Sequence, residues 1–216
     1  MIGYIQGYDG EYLQIVAPFS DSNLLVRHEI TQCSVHLEDG RFLSDDQRRK
    51  ICATCNDIGD YTGNFELERY IQTFNFCDLY DHEFFSLSRK SENCVSMSVA
   101  SQFITYLVNF CLVHNIGCTE SLLYRAEDIG KYLYACLANK RCCICGKKPD
   151  LHHVYAIGMG RDRKMIIHKG MEALPLCREC HTKAHSMGRE SFLKHYHIFG
   201  IRLDDNLCRI WGVNSG

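Results

Sequence analysis

The chain has 216 residues, of which 46% are hydrophobic and 11% aromatic, and its formal net charge is -2. This composition is sufficient for packed cores and excludes a disordered or collagen-like chain. The start, MIGYIQGYDGEYLQIV, lacks the basic residues and apolar centre of a signal peptide, and no apolar run approaches membrane-spanning length. We therefore expect a cytoplasmic protein that does not contact a membrane.

The charge is distributed unevenly along the chain. Residues 1–140 carry 11 Lys and Arg against 19 Asp and Glu, whereas residues 141–216 carry 13 against 7. The second part is basic and suited to a polyanionic partner, and the first part is acidic. Because the cysteine pairs begin where the charge changes sign, we expect two domains, at 1–138 and 139–216.

Short strands are predicted first along the chain, and helices follow. Alternating or β-branched runs predict strands at 4–6, 12–16, 24–30 and 34–37. Ser44 followed by Gln47 predicts a helix N-cap with a capping box. Further helices are predicted over 65–79, from 99 until Gly117 ends the helix, and over 122–138. The first domain is therefore predicted to be α+β.

Residues 44–58, SDDQRRKICATCNDI, resemble the signature of the Orf (NinB) recombination-mediator family of bacteriophages. The matching residues are Ser44, Asp46, Gln47, Arg49, Lys50, Ile51, Asp57 and Ile58. The resemblance implies a homodimer that binds single-stranded DNA and associates with the single-strand-binding protein of the bacterial host. It makes Arg48, Arg49 and Lys50 candidate phosphate contacts. The alternative is that these three residues are solvated surface, which the acidic charge of residues 1–140 favours.

Two cysteine pairs in the basic part have the spacing of zinc knuckles. Cys142 and Cys145 form one pair, and Cys177 and Cys180 form the other. Four thiolates at this spacing predict a tetrahedral structural zinc, which contributes on the order of 10 kcal/mol to the folding of a small domain. Cys143 could replace Cys142 as a ligand.

The 31 residues between Cys145 and Cys177 exceed the roughly 15 to 20 of a simple zinc ribbon. The insertion begins DLHHVYAIGMGRDRK, a strand-like stretch with paired histidines and then a glycine-rich basic loop. His181 and His185 lie four residues apart at the start of a predicted helix, so they face one side and can hold one metal ion. A strand histidine would complete a three-ligand set with open positions, which is typical of a catalytic metal.

This module resembles the HNH endonucleases, whose small ββα-metal fold is tied together in many members by a four-cysteine zinc. The resemblance implies that His152, His181 and His185 bind a catalytic ion such as Mg²⁺, Mn²⁺ or Ni²⁺ and that His153 is the general base. The roles of His152 and His153 could be exchanged, because neighbouring strand residues point to opposite faces. The basic residues that would contact the DNA backbone are Arg161, Arg163, Lys164 and Lys169.

One residue departs from the HNH pattern. The family's asparagine, five residues before the third cysteine, is here Glu172. His168 is a candidate replacement, but we interpret a single loop histidine as ordinary surface.

The predicted function is that of a metal-dependent endonuclease of phage recombination, which cleaves single-stranded or branched DNA. One alternative is a non-catalytic recombination mediator whose zinc module adds affinity for DNA. Another is a zinc-ribbon adaptor for proteins, without a role in nucleic-acid binding.

Overall fold

The computed structural model describes residues 3–20, 27, 35, 40–155 and 166–216. The chain forms two compact units, Met1–Leu37 and Glu38–Gly216. In the first unit, β1 (Tyr4–Tyr8) and β2 (Leu13–Val16) pair antiparallel, which confirms the first two predicted strands. The strands predicted at 24–30 and 34–37 lie outside the described residues, apart from Val35 and Arg27, and Arg27 is helical.

The second unit begins with three helices: α1 (Asp45–Thr62), α2 (Glu68–Tyr80) and α3 (Met97–His114). At the start of α1 the Ser44 hydroxyl accepts a hydrogen bond from the Gln47 amide at 3.1 Å. The Gln47 side chain accepts one from the Ser44 amide at 3.0 Å, which confirms the predicted capping box.

Two shorter helices follow: α4 (Leu122–Arg125) and α5 (Ile129–Ala138). The single helix predicted over 122–138 is therefore wrong. Ala126 is extended, and the Asp128 carboxylate accepts from the Lys131 amide at 3.0 Å, which starts a new helix. Glu127, between the two helices, accepts a hydrogen bond from Lys50 of α1 at 2.6 Å. This long-range contact has no local signal in the sequence.

Helix α3 is the centre of the apolar core. Among the described residues it is the one helix long and apolar enough to cross a membrane, so the expectation that no run approaches that length was wrong. Length and composition are weak indications, however, and α3 packs against α1, α2 and α5 as a core helix does. It ends at Asn115 in the left-handed conformation, two residues before the predicted Gly117.

The C-terminal part contains a three-stranded antiparallel sheet in the order β3 (Asp150–His153), β4 (Glu172–Leu176), β5 (Ile201–Arg202). Helix α6 (Arg178–Met187) follows β4 directly, and α7 (Arg189–Tyr196) and α8 (Asp205–Trp211) come later.

Gly200, just before β5, passes very close to this sheet. A Cβ atom there would lie 2.7 Å from Cγ2 of Val154 and 2.8 Å from Cβ of Glu172. The Cβ atom of Glu172 is fixed by the backbone, and the Cγ2 atom of Val154 is only one bond further from it. Neither can move aside, so position 200 accommodates no side chain.

One hydrophobic core runs through Glu38–Gly216. It extends from Leu43 and α3 to Leu174 in β4 and Phe192 in α7. A smaller cluster joins Leu137 of α5 to the C-terminal segment. The mixed α+β class, with short strands before the helices, is confirmed. The predicted division at residue 138 stays a prediction, because a shared core does not test whether either part folds alone.

Candidate metal centres and nuclease site

The first cysteine pair lies in a tight turn after α5. The Gly146 amide donates to the Cys142 carbonyl and the Cys142 amide donates to the Lys147 carbonyl, each at 2.8 Å. Gly146 takes a left-handed φ of 72°, which a residue with a side chain rarely adopts. The second pair starts α6, where Cys177 is the N-cap and Cys180 lies in the first turn. The turn after α5 and the first turn of α6 together place the four sulfur atoms close to one another.

The four sulfurs have the geometry of a zinc site. The Sγ atoms of Cys142, Cys145, Cys177 and Cys180 all lie within 4.8 Å of one another. The Sγ atom of Cys145 is 3.5 Å from that of Cys177 and 3.9 Å from that of Cys180. Bonds of about 2.3 Å in a tetrahedron separate the sulfurs by about 3.8 Å, so the cluster fits zinc.

Cys143 lies outside this cluster. Its side chain is buried, and burial raises the pKa of its thiol well above the ordinary value. Its amide donates to the Pro175 carbonyl at 3.0 Å, which joins the turn to β4. Of the two candidates for the first ligand, the structure places Cys142 with the other three cysteines.

A second cluster consists of His152 at the end of β3 and His181 and His185 on α6. One ring nitrogen from each lies within 4.8 Å of the others. The Nε2 atoms of His181 and His185 are 3.3 Å apart. Two imidazoles on one tetrahedral ion, with bonds of about 2.0 to 2.1 Å, are separated by about 3.3 Å. The three histidines therefore fit a single metal ion.

The surroundings of His152 and His181 favour their neutral forms. Burial, followed by the nearby His181 and His185, lowers the pKa of His152 to about 4. Burial and His185 also lower the pKa of His181. Neutral imidazoles are the form that binds metals, so lone pairs are available near pH 7.

His153 lies against a different partner from its neighbour. While the His152 ring contacts the rings of His181 and His185, Nε2 of His153 lies 2.9 Å from Nδ1 of His168. Burial, followed by His168, lowers the pKa of His153. The alternation of side chains along β3 accounts for the difference.

Both strand histidines reach the same cavity, because β3 ends at His153. The cavity has a volume of about 240 Å³ and is also lined by His185 and Arg189. Arg189, which sequence analysis did not single out, begins α7, and its guanidinium carbon lies 4.7 Å from the centre of the Tyr155 ring. The cavity therefore combines possible metal ligands, a neutral imidazole and a cation.

Glu172, at the position of the family's asparagine, is not among the residues that line this cavity. One carboxylate oxygen lies 4.0 Å from Nε of Arg202, and the side chain passes close to Gly200. Among the residues that the structure describes, the side chain within hydrogen-bonding distance of the His153 ring is that of His168. The interpretation of His168 as ordinary surface was wrong. The local sequence carries no signal for this contact.

The residues predicted to contact DNA differ in their exposure and in whether their side chains already form ion pairs. Arg161, Arg163 and Lys164 lie outside the described residues. Lys169 pairs with Asp205 at 2.6 Å. Arg48 and Arg49 are exposed on α1, whereas Lys50 is half-buried and bonded to Glu127.

The structure therefore has two clusters of side chains that could each hold a metal ion, one of four cysteines and one of three histidines. Comparison with protein families identifies its class: the model described as "Putative HNHc nuclease" matches residues 18–213. The chain therefore belongs to this HNH nuclease family, for which DNA is the implied substrate. Searches of curated proteins and of solved structures found no match.

The family match extends across the boundary predicted at residue 138. It supports the HNH part of the sequence interpretation. The resemblance of residues 44–58 to the Orf family stays a prediction, as do the phage origin and the homodimer.

Proposed function

We propose that the protein is a metal-dependent HNH endonuclease in which His153 is the general base. The observation that carries the proposal is the arrangement around one cavity. Three histidines with the spacing of ligands to one ion lie beside a fourth histidine that has a different partner. A purely structural zinc module requires only the four cysteines. It does not require a second cluster of three histidines with open coordination positions.

The chemistry follows from the neutral state of His153. A neutral imidazole takes the proton from a water molecule as its oxygen attacks the phosphorus, a step worth about 10² to 10⁴ in rate. The 3′ oxygen leaves with the bonding electron pair and is protonated by solvent, so the products carry a 5′-phosphate and a 3′-hydroxyl. Arg189 holds a phosphate oxygen at the cavity. His152, His181 and His185 would hold a divalent ion, which when bound would stabilise the negative charge on the phosphate and the leaving oxygen.

The two metal sites have different tasks in this proposal. Zinc at the four cysteines holds the turn after α5 against the start of α6, and so fixes the strand and the helix that carry the histidines. The open site takes Mg²⁺, Mn²⁺ or Ni²⁺. The protein acts in the cytoplasm of the bacterial host.

For residues 1–138 we propose an Orf-like role in phage recombination: they form a homodimer, bring single-stranded or branched DNA to the nuclease, and contact the host single-strand-binding protein. The support is the resemblance of residues 44–58. Several of these residues have contacts inside the fold, since Ser44 and Gln47 cap α1 and Asp57 pairs with buried Arg125. Arg48 and Arg49 remain exposed on α1 and are the candidates for phosphate contacts.

The test is cleavage of labelled single-stranded, duplex, flapped and four-way-junction DNA with Mg²⁺, Mn²⁺, Ni²⁺ or EDTA. The intact protein is compared with His153→Ala and with His195→Ala, a matched variant outside both clusters. We expect cleavage by the intact protein and His195→Ala with metal, and DNA binding without cleavage by His153→Ala. The preferred substrate then identifies the task in recombination.

A non-catalytic mediator is the second candidate, and the observation that favours it is Glu172 in place of the family's asparagine. It predicts that the intact protein and His153→Ala bind DNA equally and that neither cuts with any metal. That result would replace the nuclease proposal.

A further inference from the structure

We propose that His168 is the positioning residue for His153 and takes over the task of the missing asparagine. The inference rests on the proposed function, because it assigns His153 as the base. It starts from the contact between Nδ1 of His168 and Nε2 of His153, which are 2.9 Å apart.

The backbone of His168 is held by the C-terminal segment. Its amide donates to the carbonyl of Asn214 at 2.8 Å, and its carbonyl accepts from the Met171 amide at 3.0 Å. Gly170, two residues on, donates to the Leu203 carbonyl at 2.7 Å. The half-buried His168 ring therefore projects from a backbone fixed at several points rather than from a free loop.

The direction of the ring hydrogen bond decides what His153 can do. A neutral imidazole has one N–H and one lone pair. If His168 donates from Nδ1, the lone pair of His153 on Nε2 is occupied and its Nδ1 carries hydrogen, so it cannot accept a proton there. If His153 donates from Nε2, its Nδ1 has a free lone pair. His153 can therefore act as the base only if its Nε2–H donates the hydrogen bond and Nδ1 of His168 accepts it.

His168 can accept through Nδ1 because its own hydrogen then sits on Nε2. In this arrangement it selects one tautomer of His153 and holds the ring plane, as second partners of functional histidines commonly do. Glu172 does not provide this contact, since its side chain lies beside Arg202 and Gly200.

Asparagine and leucine at position 168 provide a matched pair of variants. The Oδ1 atom of asparagine lies near the position of histidine Nδ1 and accepts a hydrogen bond, whereas leucine has a similar shape but no acceptor. We expect His168→Leu to lower kcat for DNA cleavage about 10- to 100-fold with KM unchanged, because His168 does not touch the substrate. We expect His168→Asn to retain most of the activity.

Both variants should bind zinc, and their midpoints of denaturant unfolding should equal that of the intact protein. A loss of activity would then reflect the position of His153 and not a loss of folding. Full activity in His168→Leu, or equal loss in the two folded variants, would contradict the inference.

A second measurement does not depend on cleavage. Long-range ¹H–¹⁵N NMR distinguishes the two histidine tautomers, and His153→Gln assigns the signal of His153. We expect the Nε2–H tautomer in the intact protein and in His168→Asn, and a mixture in His168→Leu. The Nδ1–H tautomer in the intact protein would overturn the role of His168. If no variant cuts DNA but the tautomers behave as expected, the proposed function fails while the positioning contact stands.

Discussion

The hydroxyl of Tyr132 in α5 donates a hydrogen bond to the carbonyl of Cys143 at 2.8 Å, inside the protein. The same turn is held by Ser121, whose hydroxyl donates to the Ile144 carbonyl at 2.6 Å. Two residues of the helical part thus bond to consecutive carbonyls of the turn that carries Cys142 and Cys145. The core helices and the cysteine cluster are coupled through these bonds.

Tyr132→Phe should destabilise the protein by about 1 to 3 kcal/mol, because it leaves the buried Cys143 carbonyl without its donor. Zinc should also leave faster when a chromogenic chelator is added. Tyr134→Phe is the control, since its exposed hydroxyl bonds to Asp204 and its loss should cost less. Urea unfolding and chelator kinetics measure both effects, and equal stability of the two variants would contradict the coupling.

Cys180→Ser should abolish zinc binding at the four-cysteine cluster. A structural zinc contributes on the order of 10 kcal/mol, comparable with the whole stability of a domain, so we expect the C-terminal part to lose its fold. Metal analysis and circular dichroism test this against Cys52→Ser, a half-buried cysteine outside the cluster. One zinc per chain in folded Cys180→Ser would refute the assignment.

The ion pair between Arg125 and Asp57 is almost fully buried, with side-chain exposures of 2% and 3%. Asp57→Ala leaves buried Arg125 with the exposed Glu120 at 3.8 Å, and Arg125→Met leaves the Asp57 carboxylate buried without its cation, so each should cost about 3 to 5 kcal/mol in denaturant unfolding. The double variant should cost less than the sum. Arg49→Ala, which removes an exposed pair with Asp46, should cost less than about 1 kcal/mol.

Arg189→Ala should weaken both the binding and the cleavage of DNA at the cavity. A hydrogen bond to a charged group is worth roughly 1.5 to 3 kcal/mol, so we expect kcat/KM for cleavage to fall about 10- to 100-fold. In a His153→Ala background, the slope of log Kd against log salt for duplex DNA should decrease by about 0.9, the value for one phosphate contact. Arg209→Ala, an exposed arginine on α8, is the control, and an unchanged slope in Arg189→Ala would remove that contact from the mechanism.

Sequence was most informative where the signal is local. The capping box of Ser44 and Gln47 and the two-residue spacing of the cysteine pairs depend on residues within one turn, and the structure has both. The break between α4 and α5 could not be predicted in this way. It depends on Glu127, which accepts a hydrogen bond from Lys50 of α1, far away in the sequence.

The candidate site shows the same division. The spacing of His181 and His185 placed them on one side of α6, as found. The partner of His153 depends on Asn214, which holds the backbone of His168 from 46 residues further along the chain. No periodicity or motif encodes such a contact, so His168 resembled any exposed histidine.

The anchoring of His168 by Asn214 sets an order of events during synthesis. Both cysteine pairs, β3 and α6 are synthesised before residue 214, so all the candidate metal ligands precede the residue that holds the His168 amide. Trp211, which donates to the carbonyl of Leu137 at 3.0 Å, arrives equally late. A chain that ends just before residue 214 would contain all seven candidate metal ligands but would lack the hydrogen bond that holds the backbone of His168.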